Sequence, residues 1–150
     1  MQSYIQIESL SKSYGKHRIL SGIDLAVRKG ESVAITGPSG CGKTTLLNIL
    51  GLLETYESGS ILLSGKKYPG PETRQAMLLR RNEINYLFQS FALIDSRTVR
   101  DNLMLALYYT KLSKREKEEA IEKTLKKFSV SSKLDSNVNE LSGGEKQRVA

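Results

Sequence analysis

Apolar and polar residues alternate in short runs through the first third of the chain, a period of two that predicts strands over Tyr4–Leu10, Ile19–Val27 and Ser32–Thr36, with Gly15, Gly22 and Gly30 as punctuation. A second apolar run, Thr45–Leu50, follows a glycine-rich stretch and predicts a helix. Gly59–Gly65 then predicts another strand between glycine turns, and the Pro69-Gly70-Pro71 breaker introduces a helix over residues 72–82 and a strand-like run over Ile84–Phe88. From Val99 to Phe128 the period lengthens to that of a helix. Val99, Leu103, Ala106 and Leu107 fall on one face and Ile121, Leu125 and Phe128 on another, with Glu119/Lys123 and Glu122/Lys126 spaced to pair on a solvated face. This order predicts an α/β core with an antiparallel β portion, followed by a helical portion.

The glycine-rich stretch carries the first chemistry. Residues 37–44, GPSGCGKT, match GxxxxGK[ST] between a predicted strand and a predicted helix. Gly37, Gly40 and Gly42 allow successive backbone N–H groups to turn inward at a helix start, where the helix dipole also attracts an anion. Pro38, Ser39 and Cys41 fill the variable positions of that cradle. Lys43 is placed to bridge β- and γ-phosphates, Thr44 to ligate Mg2+, and Thr45 to offer a hydroxyl toward the α-phosphate. ATP is the expected ligand.

A second cluster narrows the class. Leu141-Ser142-Gly143-Gly144-Glu145, followed by Lys146, Gln147 and Arg148, resembles the signature sequence of the ATP-binding cassette (ABC) family. Ser142 reads as an N-cap, and Gly143 and Gly144 leave their amides open to an anion. The resemblance implies a phosphate-loop ATPase fold with an antiparallel β subdomain and a helical subdomain. It also implies that Leu141–Glu145 and Gln147 meet the γ-phosphate of ATP held by an opposite subunit in a head-to-tail dimer. Tyr14 lies where such cassettes place a ring that stacks on adenine. Gln89, after the Ile84–Phe88 run, resembles the glutamine that reaches Mg2+ or the attacking water, in a loop that faces an integral membrane permease. On this reading residues 1–90 form the α/β core and β subdomain, and 91–150 the helical subdomain through the signature.

Ile84–Leu103 is similar to cassettes that serve bacteriocin-export, macrolide-export or lipoprotein-release permeases, with Asp95-Ser96 where many members have a proline. The expected function is the ATP-binding subunit of a transporter, an exporter of the bacteriocin or peptide type, peripheral on the cytoplasmic face of the cell membrane. Alternatives from other classes are an ABC-type ATPase acting on nucleic acid or ribosomes, and a remnant without activity. Residues 46–140 lack the sustained heptads of chromosome and repair members.

Composition changes this picture little. Hydrophobic residues make up 39% and no run is long enough to span a bilayer. The net charge of +7 is dispersed instead of gathered in an aromatic-interleaved block, so nucleic acid is not the expected partner. The single cysteine, Cys41, has no partner for an internal disulfide, and the single histidine, His17, reads as a solvated turn residue instead of a base. The family pattern continues into an Asp that completes magnesium binding and a Glu that polarises water, neither of which lies within these residues. Residues 1–150 are therefore expected to hold a nucleotide cradle without a complete hydrolytic site. The strand feeding the loop is expected to lack its neighbours, leaving the fold marginal.

Overall fold

A computed structural model describes residues 3–150. The chain divides into two compact units, residues up to Tyr86 and Leu87–Ala150.

The first unit is built on a four-stranded antiparallel sheet in the order β2-β1-β3-β4, from β1 (Ile5–Tyr14), β2 (His17–Val27), β3 (Ser58–Leu63) and β4 (Lys66–Lys67). Gly15 at φ 60° makes the two-residue loop that sets Tyr14 opposite His17. Both β1 pairings slip near Ser9, which sits at φ 49° and donates its N–H to the Asp24 carboxylate at 2.7 Å. The slip lets β3 press close: a Cβ on Gly59 would lie 2.5 Å from the Glu8 carbonyl. Ile7, Leu10, Leu20 and Ile61 bury one sheet face against Leu46 and Ile49 of α1 (Lys43–Leu50), with Leu52, Tyr68 and Ala76 of α2 (Arg74–Asn82) completing the core. Burial pushes the Tyr68 phenol up to about 12, and its hydroxyl donates to the Leu50 carbonyl.

Two expected strands do not form. Residues 32–36 carry no ladder among the described residues, because the four strands pair only with one another; Ile35 still packs on the core, while Val33 is exposed. An apolar run becomes a strand only where a neighbour accepts and donates its backbone hydrogen bonds. Ile84–Phe88 is likewise unladdered: the Ile84 N–H returns to the Leu79 carbonyl at 2.9 Å and the Tyr86 hydroxyl meets Asn48 Oδ1 at 2.6 Å.

The second unit packs α3 (Val99–Ala106), α4 (Lys114–Lys127) and α5 (Gly143–Val149) around Val99, Ile121, Leu125, Val130, Val138, Leu141 and Val149. Thr98, Ser113 and Ser142 cap these helices through their side-chain oxygens. The faces differ in detail from the helical reading. Ala106 is exposed and Met104 packs inward instead, since α3 ends there. Phe128 is 46% exposed, because α4 stops at Lys127 and Ser129, at φ 57°, turns Val130 into the core in its place. Glu119 pairs with Arg115 at 2.8 Å, one turn earlier, and among the described residues no ion pair joins it to Lys123 or joins Glu122 to Lys126. Four-residue spacing offered Glu119 a cation on either side, and only the settled rotamers decide between them.

Candidate functional site

The phosphate-loop residues form a backbone cradle against the sheet. Gly37, Gly40 and Gly42 take φ values of 152°, 80° and 94°. Gly42, the N-cap of α1, has no room for a side chain: a Cβ would lie 2.8 Å from Leu20 Cδ2 and 3.0 Å from the Ile19 carbonyl oxygen. At Gly37 a Cβ would meet Cys41 Sγ at 2.8 Å. No side chain caps α1, and no acidic residue lies in its first turn. The positive end of the helix is thus left without a counter-charge from its own segment.

Lys43 closes over the loop. Its ammonium donates to the Gly37 carbonyl at 2.8 Å and the Pro38 carbonyl at 2.7 Å, and reaches Cys41 Sγ at 3.7 Å. No carboxylate within 4.0 Å pairs with it among the described residues. Pro38, Ser39, Cys41 and Thr44 are exposed, and Thr45 is half-buried. A cation anchored by neutral carbonyls beside an uncapped helix start is suited to a polyanion.

Tyr14 belongs to the same unit. Lys12 faces Leu20 across the β1–β2 ladder, and Leu20 touches the place where a Gly42 Cβ would stand. Tyr14 is two residues further along the strand, about 7 Å. Its ring is 46% exposed, its hydroxyl donates to Glu54 Oε2 at 3.1 Å, and the Lys12 ammonium lies 5.1 Å from the ring centroid. His17 is exposed beside the hairpin turn. Lys12 and Glu54 were not among the residues picked out from the sequence. The signal was a lysine two places before Tyr14, hence on the same strand face, with an acid just beyond the loop helix.

Gln89 and the signature lie in the second unit. Gln89 is exposed in the turn preceding Phe91 and Ala92, which hold φ values of 65° and 52°. Leu141 is buried and anchors α5 in the core. Ser142 and Glu145 form a reciprocal capping box: the Ser142 N–H donates to Glu145 Oε2 at 2.8 Å, and the Glu145 N–H donates to Ser142 Oγ at 3.3 Å. The Ser142 N–H and the Ser142 hydroxyl, each donating to Glu145 Oε2 at 2.8 Å, together with Lys133 at 3.2 Å, hold the Glu145 carboxyl down at about 2. The two glycines are unlike Gly42. A Cβ on Gly143 would meet nothing within 4 Å, and one on Gly144 only Arg148 Nη1 at 3.6 Å. Neither has the positive φ that favours glycine, so nothing in the unit itself requires glycine there. Gln147 is exposed on the same helix, and the neighbouring Lys146 reaches Asp95 at 3.2 Å.

The profile of the ABC transporter family matches residues 20–150. The lipoprotein-releasing system ATP-binding protein LolD of Bacteroides thetaiotaomicron is 37% identical over 146 residues, covering 97% of this chain and 67% of that protein. The bacitracin export ATP-binding protein BceA of Halalkalibacterium halodurans is 35% identical over 150 residues, covering 97% of this chain and 59% of that protein. Among solved structures, a dimeric ATP-binding cassette, MJ0796, in a post-hydrolysis state bound to ADP and Pi, superposes with a TM-score of 0.83 at 32% identity, covering 97% of this chain and 66% of that one. The chain thus spans about three fifths to two thirds of the length of these relatives. With the family profile matched over residues 20–150 and relatives of 35–37% identity covering 97% of the chain, the chain belongs to the ABC transporter family.

Proposed function

We propose that this chain carries the nucleotide-binding part of an ABC transporter ATPase that powers a membrane permease, with peptide or bacteriocin-type export as the class of work. The observation that carries the reading is the cradle at the start of α1. Three glycines with positive φ, a helix end without a side-chain cap and an ammonium held by the neutral Gly37 and Pro38 carbonyls and Cys41 Sγ form an anion site ready for a triphosphate.

Lys43 binds the β- and γ-phosphates, the backbone of residues 37–45 wraps them, and Tyr14 stacks on the base. Thr44, in the loop, is the residue of this unit that would hold Mg2+, which when bound would neutralise phosphate charge. Gly143, with open space around it, and Gly144, with only Arg148 Nη1 at ordinary contact distance, suit the close approach of the γ-phosphate held by a second copy. Leu141, Ser142, Glu145 and Gln147 support that surface from beneath and beside it. Two copies then pair head to tail around two ATP molecules. A ligand at about 100 times its dissociation constant stabilises the state it selects by about 2.7 kcal/mol, enough to close a dimer whose open form is only slightly preferred. The permease places the assembly on the inner face of the membrane; no helix among the described residues is long and apolar enough to cross one.

The test is magnesium-dependent ATP binding by the complete protein, measured by calorimetry. Lys43→Ala should weaken it at least about tenfold, or about 1.4 kcal/mol. Unchanged affinity in that variant would remove the cradle from the site.

A further inference from the structure

Lys12 is the one charged side chain in the buried class among the described residues, at 7% exposure, and a buried ammonium requires a partner. That partner is Glu54, whose Oε1 takes a hydrogen bond from Lys12 Nζ at 2.9 Å and another from the Thr55 N–H at 2.9 Å, while Lys12 also reaches Thr55 Oγ1 at 3.2 Å. One carboxylate oxygen is therefore committed to the fold. The other, Oε2, accepts the Tyr14 hydroxyl at 3.1 Å. The ring is restrained a second time by the Lys12 ammonium, 5.1 Å from its centroid, yet stays 46% exposed.

We propose that Glu54 is a positioning residue for the base of the bound nucleotide, its anchored carboxylate holding the Tyr14 hydroxyl so that the ring stands oriented for stacking before the nucleotide arrives. The proposal rests on the reading of Tyr14 as the base-stacking ring. Its geometry is economical in elements. Glu54 stands four residues beyond the end of α1, the helix whose first turn forms the phosphate cradle, so one helix of eight residues, about 12 Å, and the short turn Gly51-Leu52-Leu53 separate the phosphate end from the tether of the ring. Phosphate grip and ring tether thus lie on one continuous segment, the two ends of α1 and its following turn. An exposed tyrosine without such a tether would have to be immobilised at the moment of binding, an ordering penalty equivalent to about three- to tenfold in affinity.

The experiment uses the complete protein and two probes, magnesium ATP and magnesium tripolyphosphate, which has the phosphates without the base. Tyr14→Phe keeps the ring and the Lys12–Glu54 pair but removes the tether; Glu54→Gln weakens the tether and its anchor together. Both should weaken ATP about three- to tenfold and leave tripolyphosphate unchanged. Tyr14→Ala, which removes the ring, should lose more for ATP alone. Wild-type ATP affinity in Tyr14→Phe beside a clear loss in Tyr14→Ala would overturn the tether while sparing the stacking role. An unchanged ATP-to-tripolyphosphate preference in Tyr14→Ala would overturn both. Equal losses for the two probes in Tyr14→Phe and Glu54→Gln would assign the cluster to folding alone and overturn the proposal.

Discussion

Glycines with different physical reasons to be glycine occupy the two motifs. Gly42 is demanded by the chain itself: φ is 94°, and a Cβ would press on Leu20 and the Ile19 carbonyl within 3.0 Å. Gly42→Ala should destabilise the protein by about 1–3 kcal/mol, read as a lowered urea midpoint with an unchanged slope. Gly143 is the opposite case, with ordinary backbone and empty space around it. In a helix such a glycine is usually a weakness, so Gly143→Ala should leave stability unchanged or raise it by up to about 1 kcal/mol. The same variant should lose ATP-dependent self-association of the complete protein in size-exclusion chromatography, because the added methyl occupies the approach to the helix start. A fall in both stability and association would mean that glycine serves the fold there after all.

The helices of the second unit depend on their first turns. In α4, Ser113 and Glu116 repeat the reciprocal box seen at Ser142 and Glu145, and Ser113→Ala should cost about 1 kcal/mol in thermal or urea unfolding. The box opening α5 adds a pH dependence with a definite sign. Glu145 titrates at about 2 in the folded chain against an ordinary 4.5. Its contribution is therefore fully present above about pH 4.5 and fades as pH falls toward 2, the unfolded chain taking up the proton first. The Ser142 amide resonance should follow a titration with its midpoint near 2, and Lys133→Met should move that midpoint upward. A midpoint close to 4.5 would show that the box does not hold the charged form. The Lys146–Asp95 contact ties the same helix to the segment before α3, which the Asp95-Ser96 variation had singled out for its likeness to export cassettes.

At the scale of the molecule, residues 32–36 connect the sheet to the phosphate loop without a ladder of their own. In a protein made of these 150 residues, the amides of Val33–Ile35 should exchange with solvent near open-chain rates while those of Ile7 and Ile61 remain protected. Protection of Val33–Ile35 equal to that of the sheet would contradict the absence of a pairing partner. By itself the sequence determined the elements whose cause is local. Period-two runs placed β1 and β2, and glycine turns bounded β3; apolar spacing, the glycine-rich start of α1 and the Ser142 cap of α5 placed helices; and the two glycine motifs announced the chemistry, because φ > 0 and backbone access are properties of single residues. What tertiary structure decided was everything needing a second segment. Ser32–Thr36 and Ile84–Phe88 have strand-like composition, but a ladder is made by neighbours, not by propensity. Phe128 fell outside the core because α4 stops one residue before it and Val130 took the space, while Ala106, the last residue of α3, is exposed and Met104 packs inward. Glu54 entered the candidate site for the same reason: Lys12 is buried by a fold that brings together residues 42 positions apart, and a buried charge takes its partner wherever packing supplies one.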